Sequence, residues 1–399
     1  MTFLSALLQY KFVIVFYVLI ILIVVLNKKK FDFQAKFIAL YRTKVGIKLM
    51  HKCADRFGPV IRGCGYAGIF LGYAGMALIV YFIFNGFYQL LFIPDAPAVL
   101  SPVIPGVPIP GSPIFVPFWY GIIALFVVVV VHEFGHGIVS AAHKIKVKHS
   151  GIVFFGPLVG AFVEPDEKQL QKKGWWVQQS MFAAGPVANA VLAVIVWAIV
   201  ILALIPVMNS SVETQGFFFQ SITDGYPALE AGVQAGVVYD TVNGVFVEDA
   251  TYLSELLATS KPGDIITVGN ENLSHVVVTA AHPDYPDRAF LGVIGVNNYT
   301  ILKDSVNPGW YNFLTIIVTF LSWVFVLSLG IGLANLLPLG PVDGGRMLHQ
   351  TLEKKMSKKK ALYIFSRITA LILALILILV AVPIIKALIQ NFSFFQNIF

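Results

Sequence analysis

"VVVVVHEFGH", Val127 to His136, ends a run of valines on two histidines and a glutamate. A carboxylate at the centre of a membrane helix costs about 3 kcal/mol unless something there pairs with it or uses it. On a helix, residues four apart lie one above the other, so His132 and His136 share a face and can reach one ion. Glu133 follows directly, where it faces a water on that ion. The stretch therefore fits H-E-x-x-H, in which two imidazoles hold zinc and a carboxylate serves as general base. Zinc brings the pKa of its water to about 7, and the carboxylate takes the proton as the oxygen attacks a carbonyl. In soluble sequence the pattern arises often by chance; inside an apolar run, where each such residue is expensive, chemical use is the better account.

The rest of the chain agrees that the run belongs in lipid. Of 399 residues, 57% are apolar and 12% charged, far from the balance of soluble domains. A helix needs about 20 apolar residues to cross a bilayer, and six spans are expected, near Phe12–Leu26, Tyr66–Phe92, Phe118–Ala142, Met181–Met208, Phe313–Leu336 and Leu362–Leu388. The first is read as a retained anchor, because Asn27–Lys30 ("NKKK") follows its apolar stretch and no small-residue cleavage site is visible.

The net charge of +7 is a topology signal. Of 28 Lys and Arg residues, 22 lie in Lys28–Arg62, Lys144–Lys173 and Arg346–Lys360, whereas Asn209–Tyr311 holds only Lys261, Arg288 and Lys303 against a dozen acids. Basic loops mark the cytoplasmic side. The three basic loops are accordingly expected in the cytosol, and the acidic segment and both termini outside. No phosphate loop or nucleic-acid motif accompanies the charge, so nucleic acid is not an expected partner. Cys53 and Cys64 have no zinc-finger spacing and are expected to be reduced thiols.

A catalytic zinc site usually has three protein ligands and one open position. A metzincin would need histidine where Ala142 stands. Glu164, in "GAFVEPDE" (Gly160–Glu167), is a thermolysin-like alternative for the third ligand. Its competitor is Asp343 in "NLLPLGPVDGG" (Asn335–Gly345), which closes the fifth span on the same side as His136. Position favours Asp343, since irregular backbone at membrane depth is tolerated only around a cavity.

Together "HEFGH", "NLLPLGPVDGG" and "FAAGPVANAVL" (Phe182–Leu192) resemble the site-2 protease family of intramembrane zinc metalloproteases, and "GAFVEPDE" resembles its archaeal branch. The resemblance covers roughly Tyr66–Met208 and Phe313–Leu352. It implies His132, His136 and Asp343 as ligands of one catalytic Zn2+ and Glu133 as base. It also implies Asn189 and Asn335 as polar contacts to the substrate backbone or the transition-state oxygen. Asn189, in a G-x-x-x-N arrangement with Gly185, has a plainer reading as a helix-packing residue.

Val147–Pro165 is too short and glycine-interrupted for another crossing helix and reads as a re-entrant β-hairpin, whose edge could take up an unwound substrate strand. Beyond the fourth span, Asn243-Gly244 between alternating apolar residues signals a hairpin, and Asp249–Ala258 has helical spacing. Glu213–Val296 resembles a PDZ domain, with Val237 departing from the usual aspartate; it is expected to bind a peptide or to act as a size gate. Ser101–Pro113 reads as a stiff outer cap, and Tyr41–Pro59 as an amphipathic helix on the inner leaflet.

The expected protein is thus an α-helical polytopic membrane protein of about six transmembrane helices, with a re-entrant β-hairpin and an inserted extracytoplasmic α+β PDZ-like domain. Residues 1–63 form the anchor and basic loop, 64–208 the first part of the core, 209–311 the PDZ-like domain, 312–352 the second part of the core, and 353–399 a basic loop and last span. The function expected is hydrolysis of transmembrane protein substrates after their outer parts are trimmed, in the cell membrane, with the active site near the cytosolic side. Two alternatives are a prenyl-protein-type membrane zinc protease, which would need a ligand glutamate, and a PDZ-bearing scaffold or sensor with a closed, structural zinc.

Overall fold

Long apolar runs leave the backbone no hydrogen-bonding partner but itself, and helices result. The computed structural model describes residues 10–34, 38–93, 98, 100–112, 114–155 and 158–396. Among them, five helices are long and apolar enough to cross a membrane. The helix α1 (Lys11–Leu26) is apolar and has 16 residues, fewer than a crossing needs; the residues before Tyr10 lie outside the described ones, and the first of the six expected spans stays an expectation.

The helix α2 (Ile47–Phe92) has 46 residues, about 69 Å at 1.5 Å per residue, more than twice the hydrocarbon thickness. Its backbone breaks at Phe57, next to the internal Pro59, because proline removes an intrahelical bond and clashes with the preceding turn. The expected amphipathic helix of Tyr41–Pro59 is thus the start of α2, and its first residues lie in a strand instead. The boundary expected at 63/64 falls inside this helix.

Three more crossing helices follow: α3 (Phe118–Ala142), α4 (Trp175–Ile199, continued by a π turn and Ile205–Ser210) and α5 (Pro308–Asn335). A short helix, α6 (Asp343–Lys355), then precedes the last long one, α7 (Lys358–Gln396). Exposed apolar side chains such as Leu71, Ile195 and Leu377 stud the outward faces, as lipid-facing helices require.

The loop between α3 and α4 forms β3 (Val147–Phe155) and β4 (Leu158–Pro165), paired antiparallel. They are not alone. Two further strands, β1 (Asp32–Gln34) and β2 (Ile38–Thr43), complete a sheet of order β1-β2-β3-β4, with Arg42 opposite Gly151. These strands were not legible in the sequence, since a six-residue strand among basic residues is decided by its partner rather than by propensity. The strand β4 ends the sheet and packs on α3.

The chain divides into two compact units, Met1–Val200 with Ile317–Phe399, and Ile201–Ile316. The second is wider at both ends than the 209–311 expected. Within it, β5 (Val212–Ile222), β6 (Val238–Tyr239) and β13 (Val293–Leu302) form one sheet. A second holds β7 (Thr241–Val242), β8 (Val245–Phe246), β9 (Ile265–Gly269) and β10 (Ser274–Val278); β11 (Ala280–Ala281) pairs with β12 (Ala289–Phe290). Asn243 and Gly244 join β7 to β8 with φ of 51° and 77°, the left-handed pair a two-residue hairpin demands. The helix Thr251–Thr259 buries Leu253 in a core with Phe217, Phe219, Tyr239 and Val268.

In the first unit a polar network fastens α6 to its neighbours. Gln179, fully buried on α4, donates to the Met347 carbonyl (3.1 Å) and to Gln350 Oε1 (2.9 Å). The Tyr73 hydroxyl on α2 donates to Gln179 Oε1 at 3.2 Å and also meets Thr351. Gln179→Leu should lower the unfolding midpoint in detergent, since stranding buried partners costs about 1–3 kcal/mol. An unchanged midpoint would show that apolar packing alone holds α6.

Candidate metal centre

One helix and one distant turn bring the site together. The helix α3 carries His132 and His136 one turn apart. Far along the chain, α5 stops at Asn335 and α6 starts at Asp343. The turn is tight: a side chain on Gly344 would collide with the Leu336 backbone, and one on Gly345 with Leu339. Those two glycines let α6 fold back against the end of α5, so that Asp343 heads α6 beside the histidine face.

There His132, His136 and Asp343 are only 6%, 8% and 8% exposed and form, among the described residues, a group able to hold a metal ion. Asp343 Oδ2 lies 3.1 Å from His132 Nε2 and 3.2 Å from His136 Nε2, and the two Nε2 atoms are 3.2 Å apart. Zinc roughly 2.0–2.1 Å from each donor sets tetrahedral ligands about 3.3 Å apart. The triangle matches one face of that tetrahedron. Two neutral imidazoles and one carboxylate are also the charge set of a catalytic zinc site.

A second observation fits the same ion. Gly185 on α4 lies over the triangle, and a Cβ built there would overlap Nε2 of both His132 and His136. Only glycine leaves that space open. The ring of His136 is turned by its other edge, where Nδ1 lies 2.7 Å from the Met181 carbonyl. Donation from Nδ1 leaves the Nε2 lone pair toward Asp343, as metal-bound histidines require.

Glu133 is oriented by the sheet. The Val163 N–H, on the edge strand β4, donates to Glu133 Oε2 at 2.9 Å. A cavity of about 260 Å³ is lined by His132, Glu133, His136, Asp343, Asn335 and Arg346, among others. Asn335 is on that wall, its Nδ2 donating to the Ile331 carbonyl at 3.0 Å. Asn189 does not line it; its side chain lies behind His132.

Glu164 is not part of the group. The alternation of a strand turns neighbouring side chains to opposite faces, and Glu164 pairs with Arg42 Nε and His149 Nδ1, each at 3.2 Å. Partial burial pushes its carboxyl up, but hydrogen bonds and charge from Arg42 and His149 outweigh that and hold it below the usual range. We therefore expect Asp343→Asn to lower the zinc content of purified protein at least tenfold, and Glu164→Gln to leave it unchanged. Metal analysis showing the reverse would make Glu164 the ligand.

Reading the sequence missed Gly185 as the roof, Val163 as the partner of Glu133 and Met181 as the partner of His136. Only the first had a visible signal, the run of small residues in Phe182–Leu192.

Comparison with known proteins agrees with this geometry. A family model described as peptidase family M50 matches residues 120–377. An uncharacterized protein of Methanocaldococcus jannaschii is 28% identical over 236 residues, covering 57% of this chain and 56% of that protein. The regulator of sigma-W protease RasP of Bacillus subtilis is 23% identical over 258 residues, and the zinc metalloprotease RasP of Bacillus licheniformis 25%, each match covering 53% of this chain and 60% of the relative. The matched region thus spans less than two thirds of these relatives. A family match over well more than half of the sequence, taking in both the histidine pair and the aspartate that meets it, places the chain in peptidase family M50, the site-2 proteases.

Proposed function

We propose that the protein is an intramembrane zinc endopeptidase that cuts a peptide bond in or next to a transmembrane segment of another protein. The observation that carries this reading is that Asp343 meets His132 and His136, both on a helix apolar enough to cross a membrane, with the three donor atoms 3.1–3.2 Å apart. His132, His136 and Asp343 would hold the zinc. When bound, zinc supplies Lewis-acid chemistry, acidifying water and polarising a carbonyl. Glu133 takes the proton of the attacking water and returns it to the leaving amine. The Val163 N–H keeps that carboxylate aimed. Asn335 and Arg346 offer N–H donors on the cavity wall for the substrate backbone. The strand β4 offers an edge on which an unwound segment could align by strand addition, which frees a scissile bond from its own helix.

The basic loops support an active site near the cytosolic side, and the scarcity of Lys and Arg in the unit Ile201–Ile316 supports an extracytoplasmic position for it. The strands of that unit and its helix Thr251–Thr259 support the PDZ-like reading, acting as a peptide site or a size gate that admits substrates already trimmed outside. Asp343 in the group, with no glutamate among the three, argues against a prenyl-type protease, which would need a ligand glutamate.

The test is cleavage of single-span membrane peptides by the purified chain in lipid vesicles, with a chelator to remove zinc and added zinc to restore it. Cleavage lost and regained in this way is expected. A chain that carries one zinc and cuts no member of a broad panel, trimmed or untrimmed, would overturn the proposal.

A further inference from the structure

Asn189 sits on α4, fully buried, with its side-chain amide against the back of His132: Nδ2 is 3.3 Å from His132 Nδ1. Its own Oδ1 is buried without a hydrogen-bond partner. The residue is clamped, since Ser328 Oγ on α5 donates to its backbone carbonyl at 2.8 Å. As placed, the contact sets a donor against Nδ1 and so requires an acceptor there. A neutral ring with an accepting Nδ1 carries its proton on Nε2, the atom that faces Asp343. That tautomer cannot ligate a metal through Nε2. A half-turn of the amide exchanges its oxygen and nitrogen, which occupy nearly the same volume. The orphaned oxygen then accepts from Nδ1–H, and Nε2 is left with its lone pair. His136 already has this arrangement through the Met181 carbonyl.

Resting on the zinc-protease reading above, we propose that Asn189 is a positioning residue of the metal centre: its side-chain carbonyl accepts the Nδ1 proton of His132 and presents the Nε2 of that ring to the metal. This differs from a contact to the substrate or transition-state oxygen. The amide lies at the ring edge opposite Nε2 and is absent from the cavity wall. Asn189 thus acts through His132, and its loss is felt as metal affinity. Outer partners of histidine ligands are typically worth about 10–100-fold in that affinity.

The experiment is zinc titration of the purified full-length chain in detergent against a competing chelator, with cobalt absorption as a second readout. Asn189→Leu keeps the branched skeleton, removes the acceptor and is expected to weaken zinc about 10–100-fold. Asn189→Asp keeps the shape and supplies only acceptors, and is expected to bind within a few-fold of the original with its cobalt spectrum unchanged. Leucine is bulkier than asparagine at this buried site, so the smaller Asn189→Ala is measured beside it and is expected to weaken zinc likewise; loss in both, against retention in aspartate, decides the question apart from size. Equal zinc affinity in the leucine variant would overturn the proposal, and a fall in kcat alone at that unchanged affinity would return Asn189 to a transition-state role. Aspartate binding as weakly as leucine would overturn it too. Failure of the unsubstituted chain to bind zinc at all would instead overturn the metalloprotease reading itself.

Discussion

Glu133→Gln is expected to bind one zinc ion per chain and to cut no substrate at a measurable rate. The amide is close in size to the carboxylate, and Glu133 stands outside the group of His132, His136 and Asp343, so the metal donors stay as they are. The variant loses the base. Loss of a positioned general base costs typically 10²–10⁴-fold, an order-of-magnitude range. The Val163 N–H still finds an acceptor in the glutamine carbonyl, so the strand edge beside the site keeps its partner. The check is metal analysis together with cleavage of a membrane peptide in vesicles. Substantial proteolysis by this variant would remove Glu133 from the base role while leaving the metal site intact. A variant that binds zinc and substrate without turnover also serves to trap substrates in cells.

Gly185→Ala should bring zinc content close to zero while the helices remain folded. The added methyl would occupy the space between the two Nε2 atoms, where the metal belongs. Relief requires the rings to rotate or α4 to withdraw from α3. Rotation would break the His136 contact to the Met181 carbonyl and remove Nε2 from Asp343. Alanine is favoured over glycine inside a helix by roughly 0.8–1.0 kcal/mol, so α4 as a helix is not weakened by the change. Circular dichroism reports the retained helix, and metal analysis the lost ion. One zinc per chain in this variant would show that the ion sits elsewhere than within the triangle.

Much of this protein could be read from its residues because each decisive feature is local. Hydrophobic length alone identifies four of the expected spans with helices close to their bounds, and the Asn243-Gly244 turn with its hairpin. The pair His132 and His136 is a statement about helical period. The failures were not local. The strands β1 and β2 exist because β3, more than a hundred residues later, offers them an edge. The basic helix near Lys48 merges with the next span because its bend at Phe57 kinks the helix without ending it. Glu164 and Asp343 were both plausible ligands on chemistry, and one residue of strand alternation turns Glu164 toward Arg42.

The sequence by itself determined that the chain lies in a membrane and that two imidazoles and a carboxylate share one helical turn there, since helix formation and hydrophobic burial act over neighbouring residues. Only the tertiary structure decided which distant carboxylate completes the group, which glycine holds the space for the ion and which amide stands behind His132. Those follow from how closely α4 and α6 approach α3, a distance set by side-chain volumes on both surfaces at once.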